Sequence, residues 1–258
     1  MFYQLKKNCY TILRMLKSRS LLINLKHFIF RLYFRLDSHN YAFKQYATDL
    51  TESNLIKTYF DNLKNDGFFI HIGICHYEQD YFRPFFEKKN YKGLLIEANP
   101  TYIKNIKKNL NPNFRLENFL IDNNEISKYL YYVDNNSINK YPKYVKGICS
   151  TNKKNLILHH ISERDIGQIK VESKKLSSLI KIKNINNIDF LIIDVEGMEF
   201  NILYDFLTNT NLRPNIIFEM KFMKKIEIIK VLDLLKKDNY DITLFKNDFI
   251  CLNSPIKQ

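Results

Sequence analysis

The chain has 258 residues, enough for one large domain or for one domain with an appendage. Hydrophobic residues make up 45% of it, which excludes global disorder, and 6 Gly with 6 Pro exclude a fibrous or loop-rich class. A formal net charge of +13 fits either an anionic partner or a Lys-rich soluble surface.

The charge is uneven. Residues 1–36 hold Lys6, Lys7, Arg14, Lys17, Arg19, Lys26, Arg31 and Arg35 and no acid, so +8 of the +13 sits there. "YTILRMLKSRSLLINLKHFIFRLYFRL" (10–36) lacks Gly and Pro, and Leu21, Leu25, Phe28, Leu32 and Leu36 recur at helical spacing. A basic amphipathic helix is expected, lying on an anionic membrane surface or packed on its own domain or a second subunit. A helical extension over 1–40 and a domain over 41–258 follow from this. No run reaches 18 apolar residues and no signal-peptide pattern is seen, so neither a span nor a leader is expected. Cys9, Cys75, Cys149 and Cys251 show no CxxC spacing. They read as reduced thiols of a cytoplasmic protein, not as a disulfide framework or zinc site.

Regular patterning begins at residue 67. "FFIHIG" (68–73) is a strand entering a glycine turn, and "EQDYFRPFFEKK" (78–89) a helix broken near Pro84. "KGLLIEA" (92–98) is a strand, "PTYIKNIKKNL" (100–110) a helix opened by Pro, and "NFRLENFLI" (113–121) a third strand. "KYLYYVD" (128–134) reads as a strand, and "NNSINKYPKYVKGICSTNKKN" as an insertion or loop that helps form a substrate site. "KLSSLI" (175–180) is a short helix, "IDFLIIDVEG" (188–197) a strand, "MEFNILYDFL" (198–207) a helix and "PNIIFEM" (214–220) a strand. "KKIEIIKVLDLLKKD" (224–238) is an amphipathic helix, and "YDITLFKNDFICL" (240–252) a closing hairpin turning near Lys246, Asn247 and Asp248. Strands separated by helix-length segments predict an α/β fold with a mostly parallel sheet.

In such sheets ligands bind beyond the carboxyl ends of the strands, where strand order reverses. His71 to Gly73, Glu97, Asp122, and Asp194 with Glu196 all fall at that edge. Glu97 lies 24 residues past Gly73, near the spacing at which an acid receives ribose hydroxyls. Asn99 precedes Pro100 and also reads as a helix N-cap. Asp122 reaches a bound base or simply makes the turn of "DNNE". Asp194 and Glu196 follow three aliphatics. They are placed to position a hydroxyl, act as a base or hold a metal, though acids also suit a helix N-terminus. His71, Cys75 and His76, and also His159 and His160, cluster without a common ligand spacing, and no metal site is expected.

The strings "FFIHIG", "GLLIEANP", "VESKKLSSLI", "IDFLIIDVEGMEFNIL" and "RPNIIFE", in this order, resemble the FkbM-type family of S-adenosylmethionine-dependent methyltransferases over about 41–252. "KQYATDL" upstream resembles a further family segment, with Gln45 and Asp49 kept. The resemblance implies a Rossmann-like class I methyltransferase fold, its seven-stranded sheet closed by a C-terminal antiparallel hairpin. It implies methyl transfer from S-adenosyl-L-methionine to a hydroxyl of a sugar, glycolipid or secondary metabolite. The cofactor set expected is His71, Gly73, Glu97, Asn99 and Asp122, with Gly73 under the methionine part and Glu97 on the ribose. Asp194 and Glu196 would face the methyl group and the acceptor, Asp194 being the first candidate base and Glu196 its orienter. The family loop reads Asp-Ile-Gly-Ala-Asn where this chain has His71-Ile72-Gly73-Ile74-Cys75. Tyr77 replaces a small residue and is expected to crowd the pocket. Both departures imply altered or lost cofactor affinity, so a degenerate binding module is one rival function. A nucleic-acid methyltransferase is the other, but the basic excess sits in 1–36 and no nucleic-acid motif is present, so no nucleic-acid partner is expected.

Overall fold

A computed structural model describes residues 60, 63–245 and 248–253. The N-terminal helix, the boundary at residue 40, "KQYATDL" and the Lys246–Asn247 turn lie outside the described residues.

Seven strands form the main sheet, in the order β11-β12-β10-β9-β1-β2-β3. They are β1 (Phe68–Ile72), β2 (Lys92–Ile96), β3 (Phe114–Glu117), β9 (Phe190–Ile193), β10 (Asn215–Glu219), β11 (Tyr240–Phe245) and β12 (Asp248–Asn253). β1 pairs in parallel with β2 on one side and with β9 on the other. β12 runs antiparallel to both β10 and β11, which is the expected closing hairpin. Phe69, Ile70, Leu94, Leu95, Leu191 and Ile193 are all at most 1% exposed. Continuous burial of neighbouring residues requires cover on both faces, as parallel crossovers provide. Strand order reverses between β1 and β9, so the ligand crevice of this fold opens above those two strands.

Six helices join the strands among the described residues: α1 (Arg83–Lys88), α2 (Pro100–Lys108), α3 (Lys153–Leu158), α4 (Leu176–Ile182), α5 (Glu199–Asn209) and α6 (Lys225–Lys237). α5 packs on α4 and α6. Buried Asp205 of α5 accepts hydrogen bonds from the Ser177 backbone N–H (2.9 Å) and hydroxyl (2.8 Å), fixing the start of α4.

Two expectations need correction. Pro84 does not break a helix. It sits in the first turn of α1, where its missing N–H costs nothing, and Tyr77–Gln79 is a separate 3-10 turn. The third strand is not continuous to residue 121. Asn118 turns the chain out by donating to the Glu97 (2.7 Å) and Ala98 (3.1 Å) carbonyls, so β3 ends at Glu117. Leu120–Ile121 then forms β4, paired with β8 (Ser173–Lys174) in a separate two-stranded sheet. Of the two readings of 135–155, insertion or loop, the structure shows an insertion. β5 (Lys128–Val133), β6 (Cys149–Ser150) and β7 (Ile166–Val171) make a three-stranded antiparallel sheet with α3 beside it. This module has its own core of Val133, Val145, Ile148, Leu156 and Ile161. Among the described residues, no helix is long and apolar enough to cross a membrane.

Candidate active site

Gly73 ends β1 at φ 92, a conformation costly for other residues. Its backbone also leaves no room for a side chain, because a Cβ there would collide with the Asp194 carbonyl oxygen. The tips of β1 and β9 therefore touch, and their side chains are presented to one crevice.

Glu97, just past β2, is 4% exposed. Its Oε2 accepts the Cys75 N–H (2.9 Å) and its Oε1 the Asn99 N–H (2.6 Å), tying the glycine loop to the start of α2. Burial raises its pKa to about 7 against the pull of those hydrogen bonds. Each carboxylate oxygen has a second lone pair, so ribose hydroxyls remain acceptable partners. Asn99 is buried and caps α2: its Oδ1 accepts from the Thr101 N–H (3.0 Å) and hydroxyl (2.8 Å). Asp122 lies past β4, off the main sheet, fully buried and ion-paired to Lys128. It also accepts from Asn201 (2.9 Å) and the Asn123 N–H (2.7 Å), so its oxygens are held by the protein.

His71 is buried at the end of β1, with Nδ1 3.3 Å from Asp80 Oδ2. Burial lowers its pKa, opposed by the Asp80 charge, so the ring is neutral at pH 7 and carries its proton toward the carboxylate. Tyr77 borders the cavity beside the glycine loop. It is 3% exposed and points into the core, its hydroxyl accepting from the Asn111 N–H (3.0 Å) and donating to Glu87 (3.1 Å).

Beyond β9 the chain makes a tight turn, with Glu196 at φ 54 and Gly197 at φ 120. The inserted module grips this turn. The Ser150 hydroxyl (2.7 Å) and the Asn155 amide (2.8 Å) both donate to the Glu196 carbonyl. His159, at the end of α3, lies 3.1 Å from Glu196 Oε2 and 2.9 Å from Lys221 Nζ. Glu199, 1% exposed, accepts the Val195 (3.2 Å) and Gly197 (3.0 Å) N–H groups from below.

Asp194, Glu196 and Glu219 bring carboxylate oxygens within 4.8 Å of one another. Solvent reaches Asp194, yet the surrounding protein still raises its pKa to about 6, chiefly by burial and then by the Glu196 charge. Exposure together with desolvation is the mark of a cleft. Glu219 is raised further, to about 9, by burial, Asp194 and Glu196. At neutral pH Glu219 is protonated and Asp194 mostly ionised, so the cluster holds both a hydrogen-bond donor and a base. Its oxygens are also hard donors of the kind that bind Mg²⁺ or Ca²⁺.

Of two cavities among the described residues, one borders this site. One of about 280 Å³ lies beside the glycine loop, lined in part by Cys75, His76, Tyr77, Tyr102 and Ile106. The larger, about 420 Å³, lies at the opposite, amino end of the strands, beside Gly67, Phe68, Lys92 and Asp189, away from these carboxylates.

The chain matches the family model of the methyltransferase FkbM domain over residues 64–242. It belongs to the FkbM methyltransferase family. A solved structure of methyltransferase FkbM from Methylobacillus flagellatus KT is similar with a TM-score of 0.51 at 11% identity, over 95% of this chain and 58% of that one. At such identity the likeness shows the fold alone, and the chain spans 58% of that protein's length. Precorrin-6y C5,15-methyltransferase from Geobacter metallireducens GS-15 aligns with a TM-score of 0.39 at 12% identity, over 84% of this chain and 96% of that one, too slight a likeness to weigh. No curated protein matches the chain.

In this member of the FkbM methyltransferase family the structure brings Gly73, Glu97, Asp194 and Glu196 to one edge, with His71 buried beneath. Sequence reasoning missed the part played by Asp80, Ser150, Asn155, His159, Glu219 and Lys221. Glu219 carried a usable signal, as an acid ending a buried strand. Asp80, Ser150 and Asn155 carried none, because only the folded loop and module bring them to the strand tips.

Proposed function

We propose that this FkbM methyltransferase transfers the methyl group of S-adenosyl-L-methionine to a hydroxyl of a glycan, glycolipid or secondary metabolite. The reading is carried by one observation: a side-chain-free glycine at the β1–β9 switch point, flanked by Glu97 on one side and Asp194 on the other. The residues present fit that cofactor. Gly73 lets the tips of β1 and β9 meet at the switch point, Glu97 offers lone pairs to ribose hydroxyls, and the acids suit a ligand bearing ammonium and sulfonium charges. Once bound, the cofactor supplies an electrophilic methyl carbon.

The chain's own task is alignment and proton handling. Asp194 faces the acceptor hydroxyl and takes its proton. Ser150, Asn155 and His159 hold Glu196 beside it, so the inserted module sets both the height and the far wall of the acceptor site. Calorimetry with S-adenosylhomocysteine tests the cofactor reading, and tritium transfer from methyl-labelled S-adenosylmethionine to a panel of methyl glycosides tests the chemistry. No heat at millimolar ligand would overturn the function.

A further inference from the structure

His71 and Asp80 form a buried pair at the carboxyl end of β1. A central parallel strand is normally apolar on both faces, and β1 is so at Phe69, Ile70 and Ile72. His71 interrupts it one step below the glycine turn. Asp80 comes from the loop that follows, with its side chain only 9% exposed. Its Oδ1 accepts the Arg83 N–H at 2.5 Å, and its Oδ2 faces the imidazole. The pair as a unit therefore carries one negative charge, because the ring is neutral.

That charge sits at the carboxyl end of β1, against the residue two before Gly73. Asp80 acts electrostatically on Asp194 across the switch point and on the Cys75 thiol in the glycine loop. The cation nearest in sequence does not cancel it. The Arg83 guanidinium stacks over the Tyr77 ring at 4.9 Å and leans toward Glu87 at 3.9 Å. Two lone pairs of Asp80 stay unused after the Arg83 and His71 contacts.

Resting on the methyl-donor reading above, we propose that Asp80 anchors the ammonium group of the donor's amino-acid end, with His71 as the buried strut that aims it. His71 is a positioning residue here, and Asp80 the group that touches the ligand. The loop's departure from Asp-Ile-Gly then relocates the negative charge by nine residues without losing it.

The test uses the full chain and two ligands, S-adenosylhomocysteine and 5′-methylthioadenosine, which lacks the amino-acid end. Asp80→Asn should weaken S-adenosylhomocysteine by about 10- to 100-fold, the span of a charge-assisted hydrogen bond, and leave 5′-methylthioadenosine unchanged. Adding His71→Asp to Asp80→Asn should recover most of the lost affinity, since the carboxylate returns to the strand tip. Equal weakening of both ligands would reduce Asp80 to a brace for α1 and overturn the inference, as would no weakening of either. A wild-type chain that binds 5′-methylthioadenosine but not S-adenosylhomocysteine overturns the inference alone. One that binds neither overturns the proposed function with it.

Discussion

Glu97 offers the sharpest separation of stability from binding. Glu97→Ala removes the acceptors of two backbone N–H groups, from Cys75 and Asn99. Orphaning them costs about 1–3 kcal/mol each. The same change removes a charge whose burial lifts its pKa from 4.5 to about 7. That shift equals about 3 kcal/mol of penalty at pH 8, at about 1.4 kcal/mol for each pH unit. The two effects largely cancel, so the variant should lose no more than about 3 kcal/mol of stability at pH 8 by urea titration. The sign depends on pH. A raised folded value means that stability is intact below pH 4.5 and falls as pH rises through about 7 in the wild type. The variant lacks that slope, so it should be weakest against wild type in acid. Affinity for S-adenosylhomocysteine should fall by about 10- to 100-fold, because the ribose hydroxyls lose a charged acceptor. Unchanged affinity alongside a large stability loss would show that Glu97 is only a brace between the glycine loop and α2.

Glu219 is raised from 4.5 to about 9, so the folded state holds a proton that the unfolded chain has lost, and stability should decline as pH rises from about 4.5 to about 9. Glu219→Gln should flatten that decline in thermal melts, and an equally steep decline in the variant would assign it to another group. Asp194→Asn keeps size but removes the base, so methyl transfer should fall about 100-fold or more while S-adenosylhomocysteine calorimetry stays unchanged; full turnover would remove Asp194 from the chemistry. Tyr77→Phe strands the Asn111 N–H and should cost about 1–2 kcal/mol of stability by urea titration with no change in cofactor affinity. Weakened affinity would place the hydroxyl in the pocket after all. The acid-free charge of residues 1–36 predicts binding to anionic vesicles that fades with salt, each cation contributing about 1 kcal/mol. Co-sedimentation that persists in a chain beginning at residue 41 would refute it.

Some features were fixed by the sequence alone because they depend on local pattern. Runs such as "FLII" and "IIF" are apolar at every position, which only strands covered on both faces require, so the central sheet was legible. Gly73 and the acids at 97, 194 and 196 were legible for a related reason: strand length sets which residue reaches the carboxyl edge. The tertiary structure decided the rest. "NFRLENFLI" reads as one strand, yet the Asn118 side chain finds the Glu97 and Ala98 carbonyls, contacts 21 and 20 residues away in sequence and invisible to periodicity. Asp122 thereby moved off the main sheet and into a buried pair with Lys128. The module over 128–171 has strands as short as two residues, too brief for a repeat to emerge, and folds around contacts between its own distant segments. One partner of the Tyr77 hydroxyl is Asn111, 34 residues on. Whether His71 removes a charge depends on Asp80, which only loop closure brings to the strand tip. Side-chain partners across a fold are set by chain path, and chain path is a global minimum that no local window contains.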